Sequence, residues 1–117
     1  MPKLRHIALA TDDPDKTAAF YMEAFDFREV GRVGNPDDPD NGLAWGIYLS
    51  DGTLNLAVLK FKNVDQLGKG LDYTGIHHFG VLVEDLDETL QRLNKMGAPC
   101  ILKQDPNSTE QFYETKF

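Results

Sequence analysis

His6-Ile7-Ala8-Leu9-Ala10-Thr11-Asp12-Asp13 and, 72 residues further on, His78-Phe79-Gly80-Val81-Leu82-Val83-Glu84-Asp85 share one pattern. A histidine opens each stretch, an alternating apolar run follows, and two acidic residues close it. Continuing at the same offset, Asp15 corresponds to Asp87 and Thr17 to Thr89. Self-similarity at a fixed offset marks a repeated structural unit and has to be read before single elements are assigned.

Each copy opens as a strand and continues as a helix. Leu4 to Thr11 and Ile76 to Val83 are short apolar runs bounded by turn formers, the pattern of strands. In the first copy Asp13 is placed to cap a helix and Pro14 takes its first position, where the missing N–H costs nothing. Ala18, Tyr21, Ala24 and Phe25 form its expected inward stripe. In the second copy Asp85 is the N-cap, with Glu88 three residues on. Leu86, Leu90 and Leu93 share a face, and Gly97 and Pro99 end the helix near residue 96.

Three more strands follow the first helix: Phe27–Val33, Leu43–Leu49 and Thr53–Leu59. An Asp51-Gly52 turn joins the last two as a hairpin. The first module is therefore β-α-β-β-β over residues 4–61. Residues 62–75, with three glycines and several charges, read as a linker. The second module covers 76–117: a strand, a helix at 86–96, a strand at 100–103, a polar loop and a strand at 111–117. The counterpart of the first module's last strand would fall at 125–131, past Phe117. The expectation is an α+β fold of two βαβββ modules, the second lacking its last strand, forming a curved mixed sheet around a cleft. A truncated form of something longer is favoured over a natively short module.

The 117 residues make a single domain by size. The 12 Lys and Arg against 19 Asp and Glu leave a net charge of −7, which argues against a nucleic-acid partner. Part of the excess is local, in the loop Asn35-Pro36-Asp37-Asp38-Pro39-Asp40-Asn41. The single cysteine, Cys100, excludes an intramolecular disulfide and a cysteine-only metal site. Its apolar setting reads as a buried, inert thiol. The N-terminus has too few apolar residues for a signal-peptide core, and nothing approaches the ~20 needed to span a bilayer. A soluble, cytoplasmic protein is expected. Neither a nucleophile elbow nor a phosphate loop is present to support hydrolase or kinase chemistry.

The recurring histidine carries the chemistry. One histidine at a strand start is ordinarily structural, but equivalent histidines in two modules paired about a pseudo-twofold axis approach each other. Two imidazole nitrogens then suit Fe, Zn, Ni or Mn, with carboxylates completing the set. His77, one step out of phase with His78, is expected on the other face of its strand, structural or exposed.

At these residues the chain resembles the vicinal oxygen chelate superfamily of glyoxalases, extradiol dioxygenases, methylmalonyl-CoA epimerases and bleomycin-resistance proteins. The resemblance rests on Leu4-Arg5-His6-Ile7-Ala8-Leu9 leading into Asp13-Pro14 and Phe20-Tyr21. It rests equally on Gly75-Ile76-His77-His78-Phe79-Gly80-Val81 leading into Glu84-Asp85-Leu86-Asp87, Leu93 and Gly97. It implies metal ligands from the first and fourth strands of each module, and so assigns His6 and His78 to the metal. Asn55 stands where glyoxalases usually carry a carboxylate, which leaves it as a weak ligand or a substrate contact. The remaining carboxylate would fall in the absent strand. Glu114, on the third strand of module two, is the late carboxylate available within the chain, and Tyr113 beside it is a candidate cleft liner. Asp26 stands where the family commonly has a glycine between helix and strand.

Two functional expectations follow from the resemblance. One is a metal-dependent enzyme acting on a small substrate with vicinal oxygens, extradiol dioxygenase-like ahead of epimerase-like (lyase or isomerase chemistry), and both ahead of a true glyoxalase. The other is a metal-free binding protein of the bleomycin-resistance type, with Trp45, Tyr48, Phe61 and Phe79 lining its cleft. Family habit and an unfilled sheet edge together imply a homodimer, with modules exchanged between its chains as one form.

Overall fold

A computed structural model describes residues 1–38 and 44–98. The expected strands at 100–103 and 111–117, and with them Cys100, Tyr113 and Glu114, lie outside the described residues. The chain divides into two compact units, one of Leu4–Val81 and one of Met1–Lys3 with the residues from Leu82 onward.

The larger unit is built on β1 (Lys3–Ala10), α1 (Pro14–Phe25), β2 (Arg28–Val33), β3 (Trp45–Ser50), β4 (Asn55–Lys60), α2 (Val64–Leu67) and β5 (Gly75–Leu82). The strands form one mixed sheet in the order β2-β3-β4-β1-β5. β2, β3 and β4 run as an antiparallel meander, and β1 lies parallel to β4. The α+β class and the β-α-β-β-β module are as the repeat predicts.

The helix boundaries follow from capping chemistry. Asp13 accepts a hydrogen bond from the Lys16 backbone N–H at 3.1 Å, and Pro14 occupies the first turn. At the other end Asp26 adopts the left-handed conformation, φ 60°, and its N–H reaches the Met22 carbonyl at 3.1 Å. A glycine is the usual residue in that conformation, and aspartate is among the few others that tolerate it.

Alternation along the strands sorts side chains onto two faces. On the α1 face Ile47, Leu49 and Val58 are almost completely buried together with Ala18, and Leu9, Tyr21, Met22, Phe27 and Leu56 close around them. Burying each of these larger side chains stabilises the fold by about 1.5–3 kcal/mol. Two members of the expected helix stripe do not join this core. Ala24 is exposed, and Phe25 is 58% exposed. The inward stripe is instead Pro14 and Ala18, which are buried, with Tyr21 and Met22 half-buried, because Ala24 falls off the 18–21–22 face and Phe25 sits in the last turn. There its ring packs against Phe20, Tyr21 and Phe27. The opposite face carries Ala8, Ala44, Ala57 and Leu59, flanked by Val33, Tyr48 and Phe61.

The hairpin between β3 and β4 is as expected, and its four-residue turn is organised by one carboxylate. Asp51 Oδ1 accepts from the backbone N–H of Thr53 at 2.7 Å and of Leu54 at 2.6 Å, while Gly52 takes φ 97°. The hydrogen bonds from Leu54 and Thr53 lower the Asp51 carboxyl below its ordinary range. A depressed folded-state pKa contributes stability that is present above the unfolded value and lost as pH falls through the folded one. Asp51→Ala is therefore expected to lower the urea midpoint at neutral pH. The gap to the wild type should narrow below about pH 4, which urea titrations across that range would measure.

Among the described residues, the element absent from the sequence expectations is α2, inside what reads as a linker. Asn63 before it and Gly68 after it are start and stop signals, but four residues give too little periodicity to register. In the second unit α3 (Leu86–Lys95) starts at Asp85, whose side chain accepts from the Glu88 N–H at 2.9 Å. Gly97, at φ 84°, follows its end. Leu90 and Leu93 are half-buried, while Leu86 is exposed. None of the described helices is long and apolar enough to cross a membrane.

Candidate functional site

The parallel pairing of β1 with β4 sets His6 opposite Asn55, on the face that carries Ala8 and Ala57. A slip of one residue would turn Asn55 to the α1 face, so the register itself places the amide beside the imidazole. His6 Nδ1 lies 2.9 Å from Asn55 Oδ1. An amide oxygen only accepts, so His6 Nδ1 carries the proton and Nε2 presents its lone pair on the far side of the ring.

On that far side is His78. The two Nε2 atoms are 3.3 Å apart, with ring centroids at 5.2 Å and planes inclined by 35°. β5 runs beside β1, and Gly80 allows the close approach: a Cβ there would stand 3.2 Å from His6 Cβ. The equivalent histidines of the repeat are thus brought together, part-buried.

This spacing can be tested against a metal ion. Two nitrogens each ~2.0–2.1 Å from one ion lie roughly 2.8–3.4 Å apart for angles from square to tetrahedral. The observed 3.3 Å falls within that range, and the hydrogen bond to Asn55 leaves His6 with the neutral, lone-pair Nε2 that a ligand needs. The pair fits a divalent ion. Among the described residues no third His, Cys, Asp or Glu joins the two. Asn55 does not face the gap between the Nε2 atoms, because its oxygen is engaged behind the His6 ring. Its geometry is that of an orienting group.

The other candidates separate. Tyr48 pairs with Ala57 and so shares the histidine face, half-buried against its small side chains. Trp45 pairs with Lys60, one step out of phase, and belongs to the opposite face. Phe61 packs against the cluster on the histidine face and touches the His77 ring at 4.5 Å. Phe79 is 65% exposed. An apolar depression of about 250 Å³ is lined by Ile7, Leu9, Tyr21, Phe27, Leu56 and Asn55 among others, and neither imidazole of the pair lines it.

His77 departs most from expectation. It is half-buried, its Nδ1 lies 2.7 Å from His78 Nδ1, and its Nε2 lies 2.9 Å from the Leu67 carbonyl oxygen. Strict alternation predicts divergence of adjacent side chains. The unforeseen α2 supplies the partner that draws this ring toward its neighbour.

Solved structures share this architecture. The hypothetical protein BH1468 from Bacillus halodurans C-125 superposes with a TM-score of 0.69 at 19% identity, over 92% of this chain and 78% of that one. Methylmalonyl-CoA epimerase from Mycobacterium tuberculosis gives 0.69 at 20% identity, over 91% and 71%. A variant of the Streptomyces coelicolor epimerase in complex with 2-nitronate-propionyl-CoA gives 0.67 at 22%, over 92% and 80%. At such identities the likeness establishes the fold. A comparison with curated proteins gave no match. The model of the Glyoxalase/Bleomycin resistance protein/Dioxygenase superfamily matches residues 3–116, and the chain belongs to that superfamily.

Proposed function

We propose that the chain is a metal-dependent enzyme acting on a small substrate with two adjacent oxygens, and that His6 and His78 hold its divalent ion. The observation that carries this reading is the 3.3 Å separation of the two Nε2 atoms, one of them fixed as a lone pair by Asn55. An iron, zinc, nickel or manganese ion bound there would supply Lewis acidity toward the vicinal oxygens, for dioxygenase or for lyase and isomerase chemistry. In this reading His6 and His78 provide two neighbouring ligands and leave the remaining directions to a carboxylate and the substrate. Glu114 is the candidate carboxylate within the chain. Asn55 holds His6 in its ligating tautomer, an arrangement that supports the dioxygenase-like order of preference over a glyoxalase-type four-ligand set. Tyr48 lines the same face and is a candidate substrate contact.

The test is metal analysis of protein purified without chelator, repeated on His6→Ala and His78→Ala. About one equivalent of metal in the wild type and loss from both variants supports the enzyme. A metal-free wild type that takes up no added Zn(II) or Co(II) removes this reading in favour of a small-molecule-binding protein.

We further propose a homodimer. Within β5, Ile76, Phe79 and Val81 are 63%, 65% and 49% exposed, and apolar residues on an edge strand invite a second chain. Sedimentation at micromolar concentration should give twice the monomer mass of 13.1 kDa. A monomer there would contradict the proposal.

A further inference from the structure

We infer that His77 is a positioning residue that sets the tautomer of His78, and so decides which nitrogen of His78 faces His6. The Leu67 carbonyl ends the short helix α2, where carbonyls lack partners within the helix. His77 Nε2 lies 2.9 Å from that oxygen and must carry the proton. A neutral His77 then has its lone pair on Nδ1, which lies 2.7 Å from His78 Nδ1. With all three rings neutral, one proton is left for the two histidine–histidine contacts, and the shorter one, 2.7 Å against 3.3 Å, holds it; His77 Nδ1 has no proton to give. His78 therefore carries its proton on Nδ1, and its Nε2 turns a lone pair toward His6 at 3.3 Å.

Asn55 imposes the same state on His6 from the opposite end. Two separate hydrogen-bond relays, one ending on an amide oxygen and one on a main-chain carbonyl, thus point two lone pairs at one place. Free imidazole favours the Nε2–H tautomer in water, and the contact with His77 favours the other form on His78. Phe61, 4.5 Å from the His77 ring, fixes that ring laterally. The tautomer assignment stands on these contacts alone. Its consequence for affinity rests on the metal reading above.

The experiment reads ring ¹⁵N shifts of the metal-free protein by NMR at about pH 8, where unperturbed histidines are neutral. In the wild type His78 should show a protonated Nδ1 and an unprotonated Nε2. His77→Phe keeps the ring against Phe61 and removes both hydrogen bonds, so His78 should revert toward Nε2–H. His77→Asn sets its side-chain oxygen where His77 Nδ1 stands, can still accept from His78 and should keep the wild-type pattern. Zn(II) titration of the same proteins should show about 10–100-fold weaker binding for His77→Phe, with His77→Asn closer to the wild type. A wild-type His78 protonated on Nε2, an observation that needs no variant, overturns the inference. So does a His77→Phe protein that keeps both tautomer and affinity. Failure of the wild type to bind Zn(II) would count against the metal reading, while the tautomer measurement still decides the role of His77.

Discussion

His6→Ala and His78→Ala are each expected to abolish stoichiometric metal binding while leaving the sheet folded. Truncation removes one of two ligands from a site whose remaining groups, among the described residues, include no further cluster of metal-binding side chains. Loss of affinity should therefore exceed the ~10–100-fold that follows loss of an outer-shell partner. Asn55→Ala provides that comparison, since its oxygen touches the His6 ring at 2.9 Å and not the gap between the Nε2 atoms. The expected order of affinities is wild type, then Asn55→Ala, then the two histidine variants. Isothermal titration with Zn(II) measures it, and far-ultraviolet circular dichroism checks that each variant is folded. Affinities that ignore the histidines and fall only with Asn55 would sink the site as drawn. Neither histidine belongs to the buried core clusters, so a large stability change is not expected from either substitution in the metal-free protein.

The second large effect concerns the sheet. Gly46→Ala is expected to destabilise the fold by about 3 kcal/mol, a sizeable part of the roughly 5–15 kcal/mol that typical domains possess. Gly46 pairs with Leu59 across β3 and β4. A methyl group there would run into the Val58 carbonyl oxygen and stand 2.8 Å from Leu59 Cδ2 and 3.0 Å from Leu59 Cα. A side-chain end can swing aside, but a carbonyl held in a ladder cannot, so the two strands must part. Urea unfolding followed by tryptophan fluorescence suits this test because Trp45 is the adjacent residue. Gly52→Ala makes a useful contrast: there a methyl group meets no atom within 4 Å, and the cost comes from φ 97° alone. A Gly46→Ala protein as stable as the wild type would show that β3 and β4 need not lie this close.

Much of this was legible because the repeat is local in sequence and the rules it uses are local in space. Asp13-Pro14 and Asp85 announce helix starts through their own side chains, and Asp51-Gly52 announces a turn. The meeting of His6 with His78 was legible for a different reason: symmetry between two copies substitutes for knowledge of the tertiary fold. Asn55 was found by its place on the fourth strand, but its role was not. Whether an amide faces an ion or the back of an imidazole depends on strand register, which a single strand's pattern does not encode. His77 was misplaced because alternation describes ideal strands, and its ring is drawn to a carbonyl on a helix of four residues. Trp45 was placed with Tyr48 on aromatic character, though three positions along a strand put them on opposite faces.

The facing histidines also bear on how the chain holds itself together. They stand 72 residues apart in sequence, whereas Ser50 and Asn55 close the hairpin across a four-residue turn. Bringing distant chain segments together costs entropy that grows with the logarithm of the loop, about 0.6 kcal/mol for each doubling. If His6 and His78 hold an ion as proposed, that ion would act as a clasp across the long loop, and part of its binding energy would become folding energy. Occupancy of the site and resistance to unfolding would then be one linked equilibrium, with added metal raising the stability of the pairing between β1 and β5.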